Sequence, residues 1–461
     1  MKILIYSLIL SLCYSSFSTS TKPKVVIHPN FILILTDDLG WSCLSSKMDD
    51  RIPESKSDFF ETPNIDKFAS ESMRFTRGYA PDPICSPTRR SIQFGQTSIK
   101  LGDDDVFPNN YTTKLRTIPE VLKSFDNRYK AAHFGKWDLR AEMTPEQLGY
   151  DISDGDNGNS NGNMGEGKED KWNRFFISDN PKQVDSLTSR AIRFMKEQVK
   201  SNNPFYLQVS HYATHVDMVT RQASYDKFKA KKVGKKHHNP AWGGMIHDLD
   251  AKIGELIDMV EKLGIADNTY IVLMADNGAV EFIPPVKNKL DLPSTFNSPM
   301  RNFPLRGGKW TLFEGGIRVP FMVKGPGIQK GSQSDVPVGG WDLLPTFNDL
   351  AGNKNIVKEV EGGSFAAVLK NKGNGKVTRN EDAFYFHRFA NGYPHSAIIL
   401  GDYKLIKFWK TKNVEMYDLA KDLGETRDIS TSNVAKAKEL EAKLIGYIKT
   451  NNPELLASSM K

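Results

Sequence analysis

FILILTDDLG, residues 31–40, is a run of five apolar residues followed by a threonine and two aspartates. An unbroken apolar run of this length that ends on acidic residues is typical of a parallel strand buried on both faces of a sheet. Residues 269–278, TYIVLMADNG, have the same pattern, with Asp276 and Asn277 directly after the apolar run. The two stretches therefore predict central strands of one parallel sheet.

The rest of the chain alternates strand and helix patterns. Residues 128–137 and 204–212 are further strand candidates, and residues 117–125 and 191–200 have helical patterns. This alternation predicts an α/β fold with a doubly wound sheet flanked by helices. From about residue 360, short strand patterns follow one another, and a helical pattern closes the chain at residues 433–450. We predict a large N-terminal α/β domain over residues 24–359 and a C-terminal α+β subdomain with a short antiparallel sheet over residues 360–461.

Residues 1–20, MKILIYSLILSLCYSSFSTS, contain one lysine, a short apolar run and then small residues. This is the pattern of a cleaved secretory signal peptide, and the run is too short to span a bilayer. A lipid anchor at Cys13 is disfavoured because Leu12 is a poor residue before a lipidated cysteine. The sequence therefore predicts a periplasmic or secreted protein without a membrane segment.

The formal net charge is +7, which suits an anionic partner without identifying one. Export disfavours nucleic acid as that partner. The densest basic run, residues 227–238, is more typical of a solvated helix face or loop than of a binding patch.

After removal of the signal peptide, Cys43 and Cys85 are the remaining cysteines. They could form a disulfide, but a chain of this length has core enough without one. Cys85 stands in ICSPTRRS, residues 84–91, where Pro87 favours the first turn of a helix. Its side chain is thus expected near a helix N-terminus, with Arg89 one turn on, where anions are attracted. This pattern favours a nucleophile or oxyanion site over a small buried hydrophobic residue.

Asp37, Asp38, Asp276 and Asn277 follow the two best strand candidates. The carboxyl ends of parallel strands face one crevice, so these side chains are expected to converge there. Three carboxylates repel one another without a cation, and a hard divalent ion, Ca²⁺ above all, prefers oxygen ligands. Each residue could instead cap a helix or a turn. The two motifs together favour the metal.

CSPTR, residues 85–89, fits the C-x-P-x-R signature of the type I sulfatases, members of the alkaline phosphatase superfamily whose cysteine is oxidised to formylglycine (3-oxoalanine). Further family blocks lie in the family's order, among them LTDDLG, GKW, TH, ADNG and PLRGGKWTLFEGGIRVP. The matching blocks extend from residue 30 to about residue 428. The chain resembles these sulfatases, which implies a large mixed, mostly parallel sheet and maturation by a formylglycine-generating enzyme.

The resemblance also implies roles for the matching positions. The modified Cys85 would supply an oxygen nucleophile, forming a covalent sulfate as the alcohol departs. The residues matching the calcium ligands are Asp37, Asp38, Asp276, Asn277 and the modified Cys85. Arg89 would stabilise the aldehyde hydrate, and Lys136 and Lys309 would bind the sulfate. His215 would contact the ester and help to protonate the leaving alcohol.

One position departs from the family pattern. Many members have a histidine in G-K-W-H-L, which acts as the base of the elimination step, whereas this chain has Asp138 in GKWDL. Asp138, His133 or another group would then take the role of base. An added carboxylate near calcium would also change local pKa values and metal binding.

The resemblance implies an exported enzyme that hydrolyses sulfate esters. Its substrate would be a sulfated polysaccharide or oligosaccharide. His387 and Arg388, in YFHRF, are candidates for binding neighbouring anionic groups of the sugar, although ordinary surface charges explain them equally well. A phosphodiesterase or phosphonate hydrolase on the same fold remains an alternative. Asp138 suggests a second one, an inactive homologue that binds sulfated glycans.

Overall fold

The computed structural model describes residues 28–102, 115–140, 143–163, 175–281, 301–355, 357–389 and 394–460. The predicted signal peptide and Cys13 lie outside these residues. Within the described ranges, none of the helices has the length and apolar character needed to cross a membrane.

Sixteen strands are present in the described ranges: β1 (Asn30–Thr36), β2 (Met73–Phe75), β3 (Gly78–Tyr79), β4 (Lys130–Gly135), β5 (Ile152–Ser153), β6 (Phe175–Ile177), β7 (Phe205–Ser210), β8 (Met218–Thr220), β9 (Thr269–Ala275), β10 (Phe321–Lys324), β11 (Ser332–Ser334), β12 (Val338–Gly339), β13 (Phe384–Arg388), β14 (His395–Leu400), β15 (Tyr403–Phe408) and β16 (Val414–Asp418). The α-helices of the same ranges are α1 (Pro63–Ser70), α2 (Cys85–Phe94), α3 (Ser98–Leu101), α4 (Ile118–Phe125), α5 (Val184–Lys200), α6 (Gln222–Ala230), α7 (Pro240–Lys262), α8 (Glu314–Ile317), α9 (Leu343–Leu350), α10 (Ala366–Lys370), α11 (Val434–Asn451) and α12 (Pro453–Ser459).

The large sheet has eight strands in the order β11-β2-β10-β9-β1-β7-β4-β5. The five strands from β9 to β5 run parallel to their neighbours, and β10 is antiparallel to both β9 and β2. Helix α5 packs against β4 and β7, and α4 packs against β4. The sheet is therefore mixed, mostly parallel and flanked by helices, which confirms the predicted fold class.

The two apolar stretches form the centre of this sheet. Every residue of β1 and of β9 is buried, and the two strands pair in parallel with Thr36 opposite Ala275. The residues that follow, Asp37 and Asp276, therefore leave the sheet side by side. The register of two neighbouring strands alone brings the acidic residues of both motifs to one edge.

The small sheet consists of β13, β14, β15 and β16, which pair in that order and are antiparallel throughout. Helix α11 packs against β14, β15 and β16. This arrangement confirms the predicted short antiparallel sheet and terminal helix. The boundary between residues 359 and 360 stays a prediction.

A buried charge network joins the small sheet to the rest of the molecule. Lys404 Nζ, on β15, lies 2.9 Å from Glu314 Oε1 and 2.8 Å from Glu425 Oε1, and all three side chains are buried. Arg318 Nε donates to the other oxygen of Glu314, and the Glu314 backbone N–H donates to Glu425 Oε2. We call these four residues the Glu314–Lys404 network.

Candidate active site

Asp37 and Asp38 are fixed at the end of β1 by backbone hydrogen bonds. The Asp38 N–H donates to Asp276 Oδ1 over 3.1 Å, and Asp38 has a positive φ of 55°. The Thr214 hydroxyl donates to the carbonyl oxygens of Asp37 and Asp38, at 3.2 and 3.0 Å. These bonds turn the chain at the strand end so that both carboxylates point to the same place as Asp276.

Cys85 is the first residue of α2, as the position of Pro87 predicted. Its Sγ lies 3.2 Å from Asp37 Oδ1 and 3.4 Å from Lys309 Nζ. Ligand atoms of Asp37, Asp38, Cys85 and Asp276 all lie within 4.8 Å of one another. The structure thus brings the cysteine and the three acids of both strand tips into one cluster.

The thiol of Cys85 is buried, and burial together with the charges of Asp276 and Asp37 raises its pKa well above the usual value. It is therefore a neutral thiol at physiological pH, which is a poor nucleophile. Cys43 is also free and buried, so the two cysteines do not form a disulfide.

Two lysines neutralise part of the acidic cluster. Lys136 Nζ is 2.7 Å from Asp37 Oδ2, and Lys309 Nζ is 2.8 Å from Asp38 Oδ1. Gly135, just before Lys136, has a φ of 97°, and a Cβ at this position would lie 2.0 Å from the carbonyl oxygen of Ser210. Only glycine therefore lets β4 turn here and deliver Lys136 into the cluster.

Arg89 lies one turn along α2 and is fully buried. Its Nη2 and Nε donate to the same Asp276 oxygen at 2.7 and 3.1 Å, and its Nη1 donates to the carbonyl oxygen of Lys136 at 2.5 Å. The guanidinium therefore holds the tip of β9 and the residue after β4 in fixed positions.

The three carboxylates differ in proton affinity. Burial raises the pKa of Asp38 to about 6 although Lys309 opposes this, and burial with the charge of Asp37 raises the pKa of Asp276. For Asp37, the effect of burial is outweighed by Lys136 and other cations, so its pKa lies below the usual range. For Asp38 and Asp276, the cations of the protein therefore do not offset the effect of burial on the carboxylate.

Asn277 supplies an uncommitted oxygen at the same point. Its Nδ2 donates to Asp38 Oδ1 over 2.7 Å, whereas its buried Oδ1 has no hydrogen-bond partner among the described residues. Buried polar atoms are nearly always paired, so an orphan acceptor beside carboxylates fits a hard cation. The residues present therefore suit the predicted calcium site.

Residues 29–353 match the model of the Sulfatase family, which is well over half of the chain. The chain belongs to the sulfatase family. Residues 308–451 of this sulfatase also match the model described as N-sulphoglucosamine sulphohydrolase, C-terminal. The protein is therefore a sulfuric ester hydrolase.

Relatives and solved structures agree with this assignment. A protein named Sulfatase from Formosa agariphila is 26% identical, with 98% of this chain and 94% of the relative covered. The N-acetylgalactosamine-6-sulfatase of Mus musculus is 26% identical over 87% of this chain and 76% of its own. The solved structure of Ps i-CgsB in complex with k-i-k-neocarrahexaose has a TM-score of 0.73 at 24% identity, with 92% of this chain and 94% of that chain covered. At that identity the structural likeness shows the fold alone.

His215 of this sulfatase lies at the edge of the cluster, with its Nε2 3.9 Å from Asp38 Oδ2. Its Nδ1 is 2.6 Å from the carbonyl oxygen of Val216, which can only accept, so Nδ1 carries a proton. Burial and the charge of Lys309 hold the pKa of His215 well below the usual value. In the free enzyme its Nε2 is therefore an acceptor, and it must gain a proton before it can donate one to a leaving alcohol.

Asp138, the departure from the family pattern, is buried beside Lys136, with Oδ2 3.3 Å from Lys136 Nζ and Oδ1 3.5 Å from Arg140 Nε. Burial favours its neutral form, but the charges of Lys136 and Arg140 outweigh this and lower its pKa. A carboxylate with a lowered pKa is a weak base. The contacts of Asp138 are those of a charge partner for Lys136, and its role as base stays a prediction.

His133, the other candidate base, lies inside β4. Its Nε2 is 3.0 Å from Ser210 Oγ, and its ring packs edge-on against Trp137 and Tyr150. Burial lowers its pKa to about 3. Such a histidine is a packing residue, which leaves the identity of the base open.

His387 and Arg388 lie on β13 and are both buried, not surface charges. His387 Nδ1 is 2.8 Å from Ser396 Oγ on β14, and Arg388 Nη1 donates to the carbonyl oxygen of Phe389. These contacts place both side chains in the small sheet. Their part in substrate binding stays a prediction.

The sequence patterns gave no indication of Lys182. It lies in the short 3₁₀ turn Pro181–Gln183 before α5, and its side chain is buried. The charges of Asp217, Asp37 and Lys136 act on its ammonium group, so it borders the same cluster. A lone lysine ahead of an amphipathic helix resembles any exposed first-turn residue, and no motif distinguishes it.

Proposed function

We propose that this sulfatase hydrolyses sulfate esters of a sulfated carbohydrate, using a formylglycine made from Cys85 and a calcium ion held by the strand-tip acids. Its relatives include an N-acetylgalactosamine-6-sulfatase, and a protein of the same fold binds k-i-k-neocarrahexaose. We further propose that residues 1–20 direct export and that a formylglycine-generating enzyme matures the chain. The substrate sugar would be a polysaccharide or an oligosaccharide.

The observation that carries this proposal is the state of Cys85. The Cys85 thiol is buried 3.2 Å from the Asp37 carboxylate, and this environment raises its pKa and disfavours the thiolate. Its position between Asp37 and Lys309 is nevertheless the centre of the cluster. Conversion to formylglycine would replace the inert thiol with an aldehyde hydrate, an oxygen nucleophile that can attack sulfur.

The metal proposal rests on the donor set. Asp37, Asp38, Asp276 and the unpaired Oδ1 of Asn277 are all oxygen donors, and Arg89 and Lys136 hold two of these acids in place. Bound Ca²⁺ would supply positive charge that polarises the oxygens of a sulfate ester. The raised pKa values of Asp38 and Asp276 would then fall, because a nearby cation favours the ionised form.

Cationic side chains of the protein would also bind the sulfate group. Lys309 Nζ lies 3.4 Å from Cys85 Sγ, so a sulfate group centred on residue 85 would lie within its hydrogen-bond reach. Lys136, on the opposite side of Asp37, would donate to the same group and stabilise negative charge that grows in the transition state. His215, whose unprotonated Nε2 faces the cluster, would take up a proton as the anionic substrate raises its pKa and pass it to the departing alcohol oxygen.

To test the proposal, the protein is co-expressed with a formylglycine-generating enzyme. Peptide mass spectrometry then identifies whether residue 85 is a thiol or an aldehyde. Purified enzyme with Ca²⁺ would then be assayed on N-acetylgalactosamine 6-sulfate and on its 6-phosphate analogue. We expect residue 85 to carry an aldehyde and sulfate to be released faster than phosphate. An intact thiol in fully active protein would overturn the nucleophile, and faster phosphate release would favour a phosphoester hydrolase.

An inactive homologue gives a different result in the same assay. Confirmed formylglycine, tight binding of a sulfated glycan and no release of sulfate from a panel of sulfated oligosaccharides would identify a binding protein. NMR of the products would locate the lost sulfate group in the active case.

A further inference from the structure

Lys182 is an unusual lysine because it is buried and forms no salt bridge with any residue that the structure describes. Its side chain is about 1% exposed, and among the described residues none accepts a hydrogen bond from its ammonium group or forms an ion pair with it. Lysines are almost never fully buried unless they are paired. The cost of desolvating this amine is therefore not offset within the described part of the protein, and something else must favour its position.

The backbone at this point is also unfavourable. Lys182 and Gln183 both adopt left-handed conformations, with φ of 50° and 56°. For residues with a side chain this conformation is energetically unfavourable. Such strain tends to occur where function requires a particular geometry. Here the two residues form the turn that aims the Lys182 side chain inward before α5 begins.

The turn that carries Lys182 lies near the part of the cluster to which His215 belongs. The 3₁₀ turn packs against β8, and the segment that leads into β8 carries His215 and Asp217. The strongest charge acting on Lys182 is that of Asp217, followed by Asp37, and the charge of Lys182 in turn affects His215. The packing of this turn on β8 therefore places Lys182 near the segment that carries His215.

We propose that Lys182 is a substrate-binding residue that donates hydrogen bonds to anionic oxygens of the sulfated sugar on the His215 side of the active site. This rests on the proposed sulfatase function and adds a third lysine to Lys136 and Lys309. The two family lysines are already bound to Asp37 and Asp38, whereas the described part of the chain supplies no hydrogen-bond acceptor for the Lys182 ammonium. Burial lowers the pKa of Lys182 to about 7, and an anionic ligand would favour its charged form.

The proposal predicts that binding and stability respond in opposite directions to the loss of the amine. Lys182→Met keeps the length of the side chain and removes the ammonium, and Lys182→Asn tolerates the left-handed backbone. Removing an unpaired buried charge relieves a desolvation cost, so the melting temperature should stay the same or rise. Substrate affinity should fall about 10- to 100-fold, the effect of losing a charge-assisted hydrogen bond.

The experiment uses matured enzyme and N-acetylgalactosamine 6-sulfate, with Lys229→Met as a control because Lys229 is exposed on α6. We expect both Lys182 variants to raise KM about 10-fold or more with a smaller change in kcat, and the control to leave both unchanged. Unaltered KM in the Lys182 variants would overturn the proposal. A lowered melting temperature together with lost kcat in both variants would overturn it too, because that result identifies a structural residue.

A second readout separates this proposal from the proposed function. Binding of N-acetylgalactosamine 6-sulfate and of inorganic sulfate to Cys85→Ser protein, with and without Lys182→Met, is measured by calorimetry and needs no turnover. Weaker binding in the double variant supports Lys182 even if the matured enzyme releases no sulfate, an outcome that would overturn only the proposed function. Equal binding of both ligands overturns the role of Lys182 even if the enzyme is an active sulfatase.

Discussion

The active-site cluster and the Glu314–Lys404 network are both buried groups of charges, but they differ in how completely their atoms are paired. In the network, Lys404 joins one oxygen of Glu314 to one of Glu425, and the remaining oxygens accept from Arg318 and from a backbone N–H. In the candidate active site, the buried Asn277 Oδ1 has no hydrogen-bond partner among the described residues, and the buried Lys182 nearby forms no ion pair within the same residues. The network is closed, whereas the active site has unused donors and acceptors that a ligand can satisfy.

This difference teaches that buried charge alone does not identify a site. In a closed network, removal of one member destabilises the fold because it leaves another buried charge uncompensated. An open cluster carries its desolvation cost until a ligand arrives. Variants in the active site should therefore affect activity far more than stability, and variants in the network should do the reverse.

The largest expected effect is on the proposed nucleophile. Cys85→Ala should lower kcat by a factor of about 10⁴ or more, because the reaction loses its attacking group. The melting temperature should change little, since the thiol makes no hydrogen bond that the fold requires. Rates of sulfate release by matured protein measure this. Cys43→Ala is the matched control, a second free buried cysteine outside the cluster, and it should retain activity; comparable losses in both variants would contradict the distinction.

The next effect is on the network. Lys404→Met should destabilise the fold by about 3 kcal/mol, because Glu425 loses the one ion pair it forms with a described residue and Glu314 is left with Arg318. Urea unfolding measures the loss. At a temperature where the variant is folded, kcat should match that of the wild type, and a large fall in kcat would mean that the network also supports the active site.

A smaller effect is expected from the metal site. Asn277→Ala should weaken calcium binding about 10- to 100-fold, because an oxygen donor is lost while the carboxylates remain. The measurement is activity against free Ca²⁺ after treatment with a chelator. Saturating Ca²⁺ should restore most of the variant's activity. Wild-type activity that survives complete chelation would rule out the metal in the reaction.

The smallest effect is a change in stability with pH. Burial raises the pKa of Glu425 to about 7 from an ordinary 4.5, although Lys404 opposes the rise. The folded state then binds this proton more tightly than the unfolded state, so its contribution to stability is greatest below pH 4.5 and is lost as pH rises toward 7. Glu425→Gln cannot ionise, so the variant does not lose stability as the pH rises. Its amide oxygen still accepts the hydrogen bond from the Glu314 N–H. Relative to wild type, the variant should gain on the order of 2 kcal/mol between pH 5 and pH 8. Thermal melts at a series of pH values measure this gain. The same dependence of stability on pH in the wild type and the variant would contradict the assignment.

Much of the architecture follows from local patterns. The apolar runs that predict β1 and β9 are buried along their whole length, and the predicted pieces of the small sheet are β13 to β16. The convergence of Asp37 and Asp276 follows from one rule about parallel strand ends. The resemblance to the family then placed Lys136 and Lys309 beside these acids, which no pattern of spacing indicates.

What the sequence could not predict depends on contacts between distant segments. The antiparallel insertion of β10 between β9 and β2 leaves no local mark, because a buried strand looks the same in either direction. His387 and Arg388 resemble surface charges until β14 covers them. Lys182 is buried only because the turn before α5 meets β8, and the pairing of Asp138 with Lys136 and Arg140 requires a left-handed residue at position 138.

The burial of Cys85 would set a time limit during synthesis on its proposed conversion to formylglycine. Asp37 precedes the cysteine, but Asp276 and Lys309, which close over it, are made roughly 190 and 220 residues later, so at about 5–20 residues per second the thiol stays accessible for about 10–45 s. A maturation enzyme would have to act on the growing or still unfolded chain. Folded protein that escaped the enzyme would then stay inactive, and adding the enzyme after purification would not rescue it unless the chain were first unfolded.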